Sequence, residues 1–288
     1  MASQPAPRLS TLARAAQALG PLVDLVFPPR CPLCGDPLAR QDGLCHACWA
    51  SLVIPGAPAC GKCQRPLDDP LDLAENGAGL VCAPCLADPP RHAGIHAATL
   101  YTEPSRRLVL ALKHGRRLAL AELLARLMVA RIPPLEGEWL VVPVPLHRWR
   151  LWHRGFNQSA ELARRIARAR GLPLAVDALV RPRRTPSLGG LDKRRRAQVL
   201  RGAITANPSR QVRLGGAKVL LVDDVLTSGA TSDACVRALC KAGAAQVRIA
   251  CFARVLDEAL DTARDRPAPP PLDRAQTKTP GAEPRAQS

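Results

Sequence analysis

Eight of the 11 cysteines fall into four Cys-x-x-Cys pairs, Cys31/Cys34, Cys45/Cys48, Cys60/Cys63 and Cys82/Cys85, all in the first third of a 288-residue chain. Two residues between thiols let both sulfurs reach one tetrahedral ion from a tight knuckle, and two knuckles close a four-thiolate structural Zn²⁺ site. Four knuckles therefore predict two structural zinc ions and a small N-terminal module organised by metal. The sequential assignment puts Cys31, Cys34, Cys45 and Cys48 on one ion and Cys60, Cys63, Cys82 and Cys85 on the other; an interleaved pairing fits the spacing as well. A thioredoxin-like dithiol needs a strand-to-helix setting, whereas these pairs run into Gly or Pro turns such as Cys34-Gly35-Asp36-Pro37. His46 lies inside the second knuckle and is read as a surface residue, because each site already has its four thiolates.

The chain carries 41 Lys+Arg against 24 Asp+Glu, a formal +17, and the excess is localised. Residues 91–217 hold 25 basic against 7 acidic side chains, a net +18, so the basicity belongs to the middle of the chain rather than to a tail. Such a segment fits a polyanion partner or a deep cationic pocket. Aromatic residues make up only 3% of the chain, which argues against a base-stacking platform with several exposed rings and makes any nucleic-acid binding mainly electrostatic. No run approaches the ~20 apolar residues of a membrane span, and the N-terminus lacks a secretory leader, so no transmembrane segment and a cytoplasmic location are expected.

The chain divides into a tail with a short amphipathic helix (residues 1–30), the double knuckle module (31–90), a larger domain (91–265) and a Pro-rich tail without apolar periodicity (266–288), which is expected to be disordered. Within the larger domain, apolar strands at 139–144, 218–222 and 247–252 alternate with helical stretches at 104–113, 118–130, 159–169 and 230–242. Gly115, Gly171 and Gly243 end three of these. A β-α-β order with near-continuous apolar strands predicts an α/β fold with a doubly wound, mainly parallel sheet.

The most informative stretch runs Val219-Leu220-Leu221-Val222-Asp223-Asp224-Val225-Leu226-Thr227-Ser228-Gly229-Ala230-Thr231. It is an apolar strand, a pair of carboxylates, and a small hydroxyl-rich loop opening a helix. Backbone N–H groups and the hydroxyls of Thr227, Ser228 and Thr231 suit a phosphate, Gly229 allows close approach, and the helix dipole favours the anion. Asp223 and Asp224 stand one loop away, where sugar hydroxyls would lie, at the strand end where open α/β sheets bind ligands.

These residues resemble the 5-phosphoribosyl-1-pyrophosphate (PRPP) fingerprint of type I phosphoribosyltransferases, with Ser228 where a second Thr is common. The resemblance implies that Asp223 and Asp224 bind the ribose hydroxyls, that Thr227, Ser228, Gly229, Ala230 and Thr231 hold the 5-phosphate, and that Mg²⁺ is chelated mainly by PRPP itself. A narrower resemblance covers residues 22–255. The cysteine module followed by Leu112-Lys113-His114-Gly115, Val142-Pro143-Val144-Pro145-Leu146-His147 and Arg154-Gly155-Phe156-Asn157-Gln158 is similar to the competence protein F (ComF) family. That family joins a double zinc ribbon to a phosphoribosyltransferase-like domain and serves uptake of transforming DNA. By position, residues 145–148 resemble the pyrophosphate loop and residues 181–202 the mobile loop that covers the site.

Pyrophosphate departure needs cations and N–H donors fixed where negative charge grows. His147, Arg148, Lys113, Arg154 and the basic run at 193–196 are the candidates, with Lys113 and Arg154 grouped with Asp223 and Asp224 as catalytic. Asn157 and Gln158 fit either ligand contact or capping of the following helix. His92, His96 and His114 lack metal-ligand spacing and are read as surface or turn residues; Cys235, Cys240 and Cys251 are read as core. Two functions follow: a PRPP-dependent transfer to a nitrogen nucleophile, or a non-catalytic factor binding PRPP or single-stranded DNA. The family's role also implies partners among competence helicases and other DNA-uptake proteins.

Overall fold

The computed structural model describes residues 28–40, 43–67, 80–114, 118–183, 195, 198–199 and 202–256. The expected N-terminal helix, the C-terminal tail, most of the 193–196 run and most of the covering loop lie outside these residues.

The N-terminal module repeats one device at an offset of 29 residues. Arg30 bridges Pro37 and Ala59 bridges Pro66, both antiparallel. In each knuckle the first cysteine's N–H closes on the carbonyl five residues on, Cys31 to Asp36 and Cys60 to Arg65, both at 2.8 Å. The turn needs a left-handed residue, and Gly35 supplies it at φ 84°. The equivalent position in the second knuckle is Gln64 at φ 56°, a conformation that carries a steric cost for a residue with a Cβ. A short helix then opens beside Cys45 (α1, His46–Ala50) and beside Cys82 (α2, Ala83–Ala87), and each presents the module's later cysteine, Cys48 or Cys85.

The larger unit is built on a parallel four-stranded sheet. Its strands are β1 (Ile95–Leu100), β2 (Trp139–Pro143), β5 (Lys218–Leu226) and β6 (Gln246–Arg254), in the order β1-β6-β5-β2. Alternate residues of the central strands face two separate cores. Leu220, Val222 and Phe252 pack with α3 (Glu103–His114), α4 (Leu118–Arg131) and α6 (Gln158–Arg170). Val219, Leu221, Val247 and Cys251 pack on the other side with α8 (Ala230–Lys241). Burial on both faces explains the unbroken apolar run of β5, and it confirms the doubly wound expectation. Cys235 and Cys251 are fully buried in the second core with Cys240 packed against it, as expected.

The sequence reading does not include β1, the seven-residue α5 (Arg148–Arg154), or a two-stranded antiparallel ladder of β3 (Leu179–Val180) with β4 (Thr205–Ala206). A short helix α7 (Gln211–Leu214) precedes β5. The ladder joins the two ends of the segment expected to form the covering loop.

Both sheet edges are closed. The β2 edge is met by the chain at 173–175, through Val141 N–H to the Pro173 carbonyl at 2.9 Å and Ala175 N–H to the Val141 carbonyl at 3.0 Å. The β1 edge is closed by the cysteine module. Ile95 N–H donates to the Lys62 carbonyl at 3.1 Å and Leu100 N–H to the Val53 carbonyl at 2.7 Å. Ala97 N–H donates to the Gln64 side-chain oxygen at 2.7 Å. This contact gives the left-handed Gln64 its use, since glycine there would relax the turn and leave Ala97 unpaired. Cys31, Leu33 and Leu52 belong to the same apolar cluster as α3, α4 and α6, so the module shares the core of the sheet. Among the described residues no helix is long and apolar enough to cross a membrane.

Candidate functional site

The cysteine clusters form as the sequential assignment expects. The ligand atoms of Cys31, Cys34, Cys45 and Cys48 lie within 4.8 Å of one another, and so do those of Cys60, Cys63, Cys82 and Cys85. Cys60 Sγ accepts N–H bonds from Cys82 at 3.3 Å and Cys63 at 3.5 Å. Burial alone would raise the Cys60 thiol, but the N–H groups of Cys82, Cys63 and Lys62 bring it down to about 6; the same balance brings Cys31 to about 7. Burial raises the thiols of Cys34, Cys48, Cys82 and Cys85 instead, so each set holds one sulfur eased towards thiolate in a closed group of four, and it is the four-sulfur geometry that fits structural zinc. His46 is exposed on α1, outside the ligand set.

The candidate ligand site sits at the carboxyl end of β5. Asp223, Val225, Leu226, Thr227, Ser228, Gly229, Ala230, Thr231 and Ser232 line one small cavity of about 60 Å³, so the expected phosphate loop and one of the two acids are brought together. Gly229 stands at the N-cap of α8 with φ 78°. A Cβ there would meet only the Asp233 carboxylate at 3.8 Å, so conformation rather than space calls for glycine.

Strand alternation separates the acids. Asp223 lines the loop cavity and is 8% exposed, and its Oδ1 accepts the Ser159 hydroxyl at 3.0 Å and the Asp224 N–H at 2.9 Å. Asp224, 4% exposed, turns to the other side, where its Oδ2 lies 2.7 Å from Lys113 Nζ at the end of α3. That contact is an ion pair by proximity, its angle falling outside hydrogen-bond geometry. Burial first, and the Asp224 charge second, push the Asp223 carboxyl well above the ordinary carboxylate range, against the pull of Ser159, the Asp224 N–H and Lys113. The site thus stores a carboxyl that a ligand's hydroxyls would help to ionise.

The cationic candidates surround this pair at different depths. Lys113 touches Asp224 directly, whereas Arg154 donates to Gln158 Oε1 at 2.9 Å and feels Asp224 electrostatically. His147 caps α5, its Nδ1 accepting the Trp149 N–H at 3.2 Å, and Arg148 is exposed; neither lines the loop cavity. Asn157 is a helix cap: its Oδ1 accepts from Ser159 N and Ala160 N, and its Nδ2 donates to the Val144 carbonyl at 3.1 Å. This cap sets Ser159 under Asp223. Ser159 is the site residue that sequence reasoning missed, although it directly follows the Arg-Gly-Phe-Asn-Gln segment. His92 is a second departure from expectation. It lies in a bend, as a turn residue would, but is 7% exposed and so is not at the surface, and His96, on β1, is also largely covered. His114's side chain lies outside the description.

Comparison with known proteins matches both halves. Residues 22–86 match the double zinc ribbon domain and residues 155–269 the phosphoribosyl transferase domain. The DNA utilization protein YhgH of Salmonella typhimurium is 33% identical over 239 residues, covering 81% of this chain and 100% of that protein. The Escherichia coli K12 protein of the same name is 30% identical with the same coverage. Competence protein F of Haemophilus influenzae is 28% identical over 235 residues, covering 79% of this chain and 98% of that protein. With paired four-cysteine clusters folded onto a parallel sheet that ends in an acid pair and a hydroxyl loop, the chain belongs to the ComF family of double zinc ribbon and phosphoribosyltransferase-domain proteins, alongside YhgH.

Proposed function

We propose that this protein binds Mg²⁺·PRPP at the end of β5 and transfers its phosphoribosyl group to a nitrogen nucleophile, in a pathway of DNA uptake or use. The observation that carries the reading is the single cavity shared by Asp223 and the hydroxyl loop of Thr227, Ser228 and Thr231. The loop's N–H groups and hydroxyls bind the 5-phosphate, and Asp223, the acid that shares their cavity, orients the ribose through its hydroxyls. Mg²⁺, held mainly by the substrate, supplies charge neutralisation on the pyrophosphate. Lys113 pairs with Asp224 at 2.7 Å, and Arg154 stands behind it as a second cation. In the transfer, the C1–O bond to pyrophosphate breaks as the nitrogen lone pair forms the C1–N bond, and the nitrogen's proton leaves to solvent. The DNA setting is suggested by the names of the YhgH and competence protein F relatives.

Calorimetry tests the binding. Wild type should bind Mg²⁺·PRPP with one site, and Thr227→Ala with Thr231→Ala should abolish it; equal binding in both refutes the assignment. Transfer is tested by pyrophosphate release with a panel of bases and amines. Release that is unchanged by Asp223→Asn plus Asp224→Asn would refute catalysis at this site.

A specific observation favours a second reading, single-stranded DNA binding. Two of the four tryptophans stand exposed on α5, Trp152 at 80% and Trp149 at 43%, with the His153 ring packed between them at centroid distances of 5.8 and 4.5 Å. Arg148 and Arg150 share that helix. Low average aromatic content therefore coexists with a local stacking surface on basic backing, which suits bases and phosphates together. Oligonucleotide affinity that falls steeply with salt and drops ~10-fold in Trp152→Ala supports this reading; no change in the variant removes it.

A further inference from the structure

A second cavity, about 370 Å³, lies between the zinc module and the sheet unit. Its walls are the second cysteine cluster, the linker 88–92, Arg254 at the end of β6, the first turns of α8, and Leu226, Thr227, Ser228 and Gly229. Those last four residues also line the small loop cavity, so one loop is the common wall of two cavities.

Two side chains lining this groove carry buried nitrogens without hydrogen-bond partners among the described residues. His92 is 93% buried by its 7% exposure, and its Nδ1 has no hydrogen-bond partner. Arg254 has buried Nε and Nη1 atoms with no partner. Guanidinium nitrogens buried without an acceptor are costly, and burial together with the neighbouring Arg254 and Lys62 holds His92 neutral, its value lowered to about 4. Two other charged lining residues, Arg65 and Asp233, already carry interactions. Asp88, Arg91 and Arg237 complete the charged lining. What the inner end of the groove lacks is an acceptor with several oxygens, matched to the planar fork of an arginine.

We propose that this groove is a second phosphate site, in which Arg254 and His92 hold a phosphate dianion or phosphomonoester, and that its occupancy is coupled through residues 226–229 to the loop cavity. The site stands on the groove itself. The coupling rests also on the reading of residues 227–231 as the phosphate loop. An occupant that packs against the outer side of the loop changes the arrangements open to its inner side, and the effect is reciprocal between the two ligands.

The test uses the zinc-loaded full-length protein and inorganic phosphate, followed by calorimetry. Wild type is expected to take up two phosphates per chain. Arg254→Gln and His92→Gln should each leave one site, and Arg254→Lys, which keeps the charge and loses the fork, should retain two with the weaker site loosened ~10-fold. Thr227→Ala with Thr231→Ala should remove the other site and leave the groove site filled. PRPP affinity should change at least ~5-fold when the groove is saturated. A wild type that binds a single phosphate, or two sites surviving in Arg254→Gln with unchanged affinity, overturns the groove site. Two sites with no effect of one on the other overturn the coupling alone. A wild type that fills the groove site but binds no PRPP would instead count against the function proposed above.

Discussion

Asp223→Asn should stabilise the unliganded protein while abolishing its PRPP binding. The carboxyl is buried beside a second carboxylate, and its value is pushed up to about 8, against ~3.9 in an unfolded chain. Between those values the folded state binds the proton more tightly, so stability is full below the lower value and falls as pH rises towards the upper one. At pH 7 the folded state has lost about three pH units' worth at ~1.4 kcal/mol each, a ceiling of ~4 kcal/mol that structural relaxation lowers. Asparagine keeps an oxygen for the Ser159 hydroxyl and the Asp224 N–H, both now on Oδ1 at 3.0 and 2.9 Å, and removes the charge. At ~2–4 °C per kcal/mol for a protein of this size, a rise in Tm on the order of 5–10 °C follows. Thermal unfolding of zinc-loaded protein at several pH values from 6 to 9 reads it. The gap between variant and wild type should widen with pH and level off above about 8. A variant that melts at or below wild type at pH 8, or a gap that does not change with pH, would refute the reasoning.

Three further perturbations separate the parts of the site. Ser159→Ala removes a donor that favours the ionised Asp223, so PRPP affinity at pH 7 should weaken ~5–10-fold, worth ~1–1.5 kcal/mol, and recover as pH is raised; a loss that is uniform across pH points to a merely structural effect. Lys113→Met leaves Asp224 buried without its ion-pair partner and should destabilise the fold by ~1–3 kcal/mol in urea unfolding. Adding Asp224→Asn should restore most of that loss, and equal stability of Lys113→Met and wild type would show that the pair contributes nothing. Metal analysis should find two Zn per chain, and chelation should speed hydrogen exchange at Ile95, Ala97 and Leu100, whose amides are held by the module. Unchanged exchange at those amides after metal loss would show that the module keeps its fold without the ion.

What could be read from the chain follows the range of the interactions. The strand, acid pair and loop of β5 and α8 were legible because strand burial, turn chemistry and helix start are local, and the knuckle spacing carried its own geometry. β1 is not legible: Ile95-His96-Ala97-Ala98-Thr99-Leu100 interrupts its apolar run with a histidine, and its two alanines are weak strand formers. The α5 helix, Arg-Trp-Arg-Leu-Trp-His-Arg, is too short to show a period, so its exposed rings were averaged away in a count over the whole chain. Ser159's role depends on a contact with a residue 64 positions away. The separation of Asp223 from Asp224 follows from strand alternation, yet which side each would face required the neighbours Lys113 and Thr227 to be in place.

The seam along β1 has a consequence for how a cell would obtain this protein at all. An open strand edge is a template for another chain, and here the edge amides are occupied by Lys62, Gln64 and Val53, residues that precede the sheet in the chain. Metal supply would therefore set the yield of the sheet unit, because a chain short of zinc would emerge with its first strand uncovered and prone to pair with its neighbours. A truncated chain beginning at residue 91 would carry the same hazard even in abundant zinc.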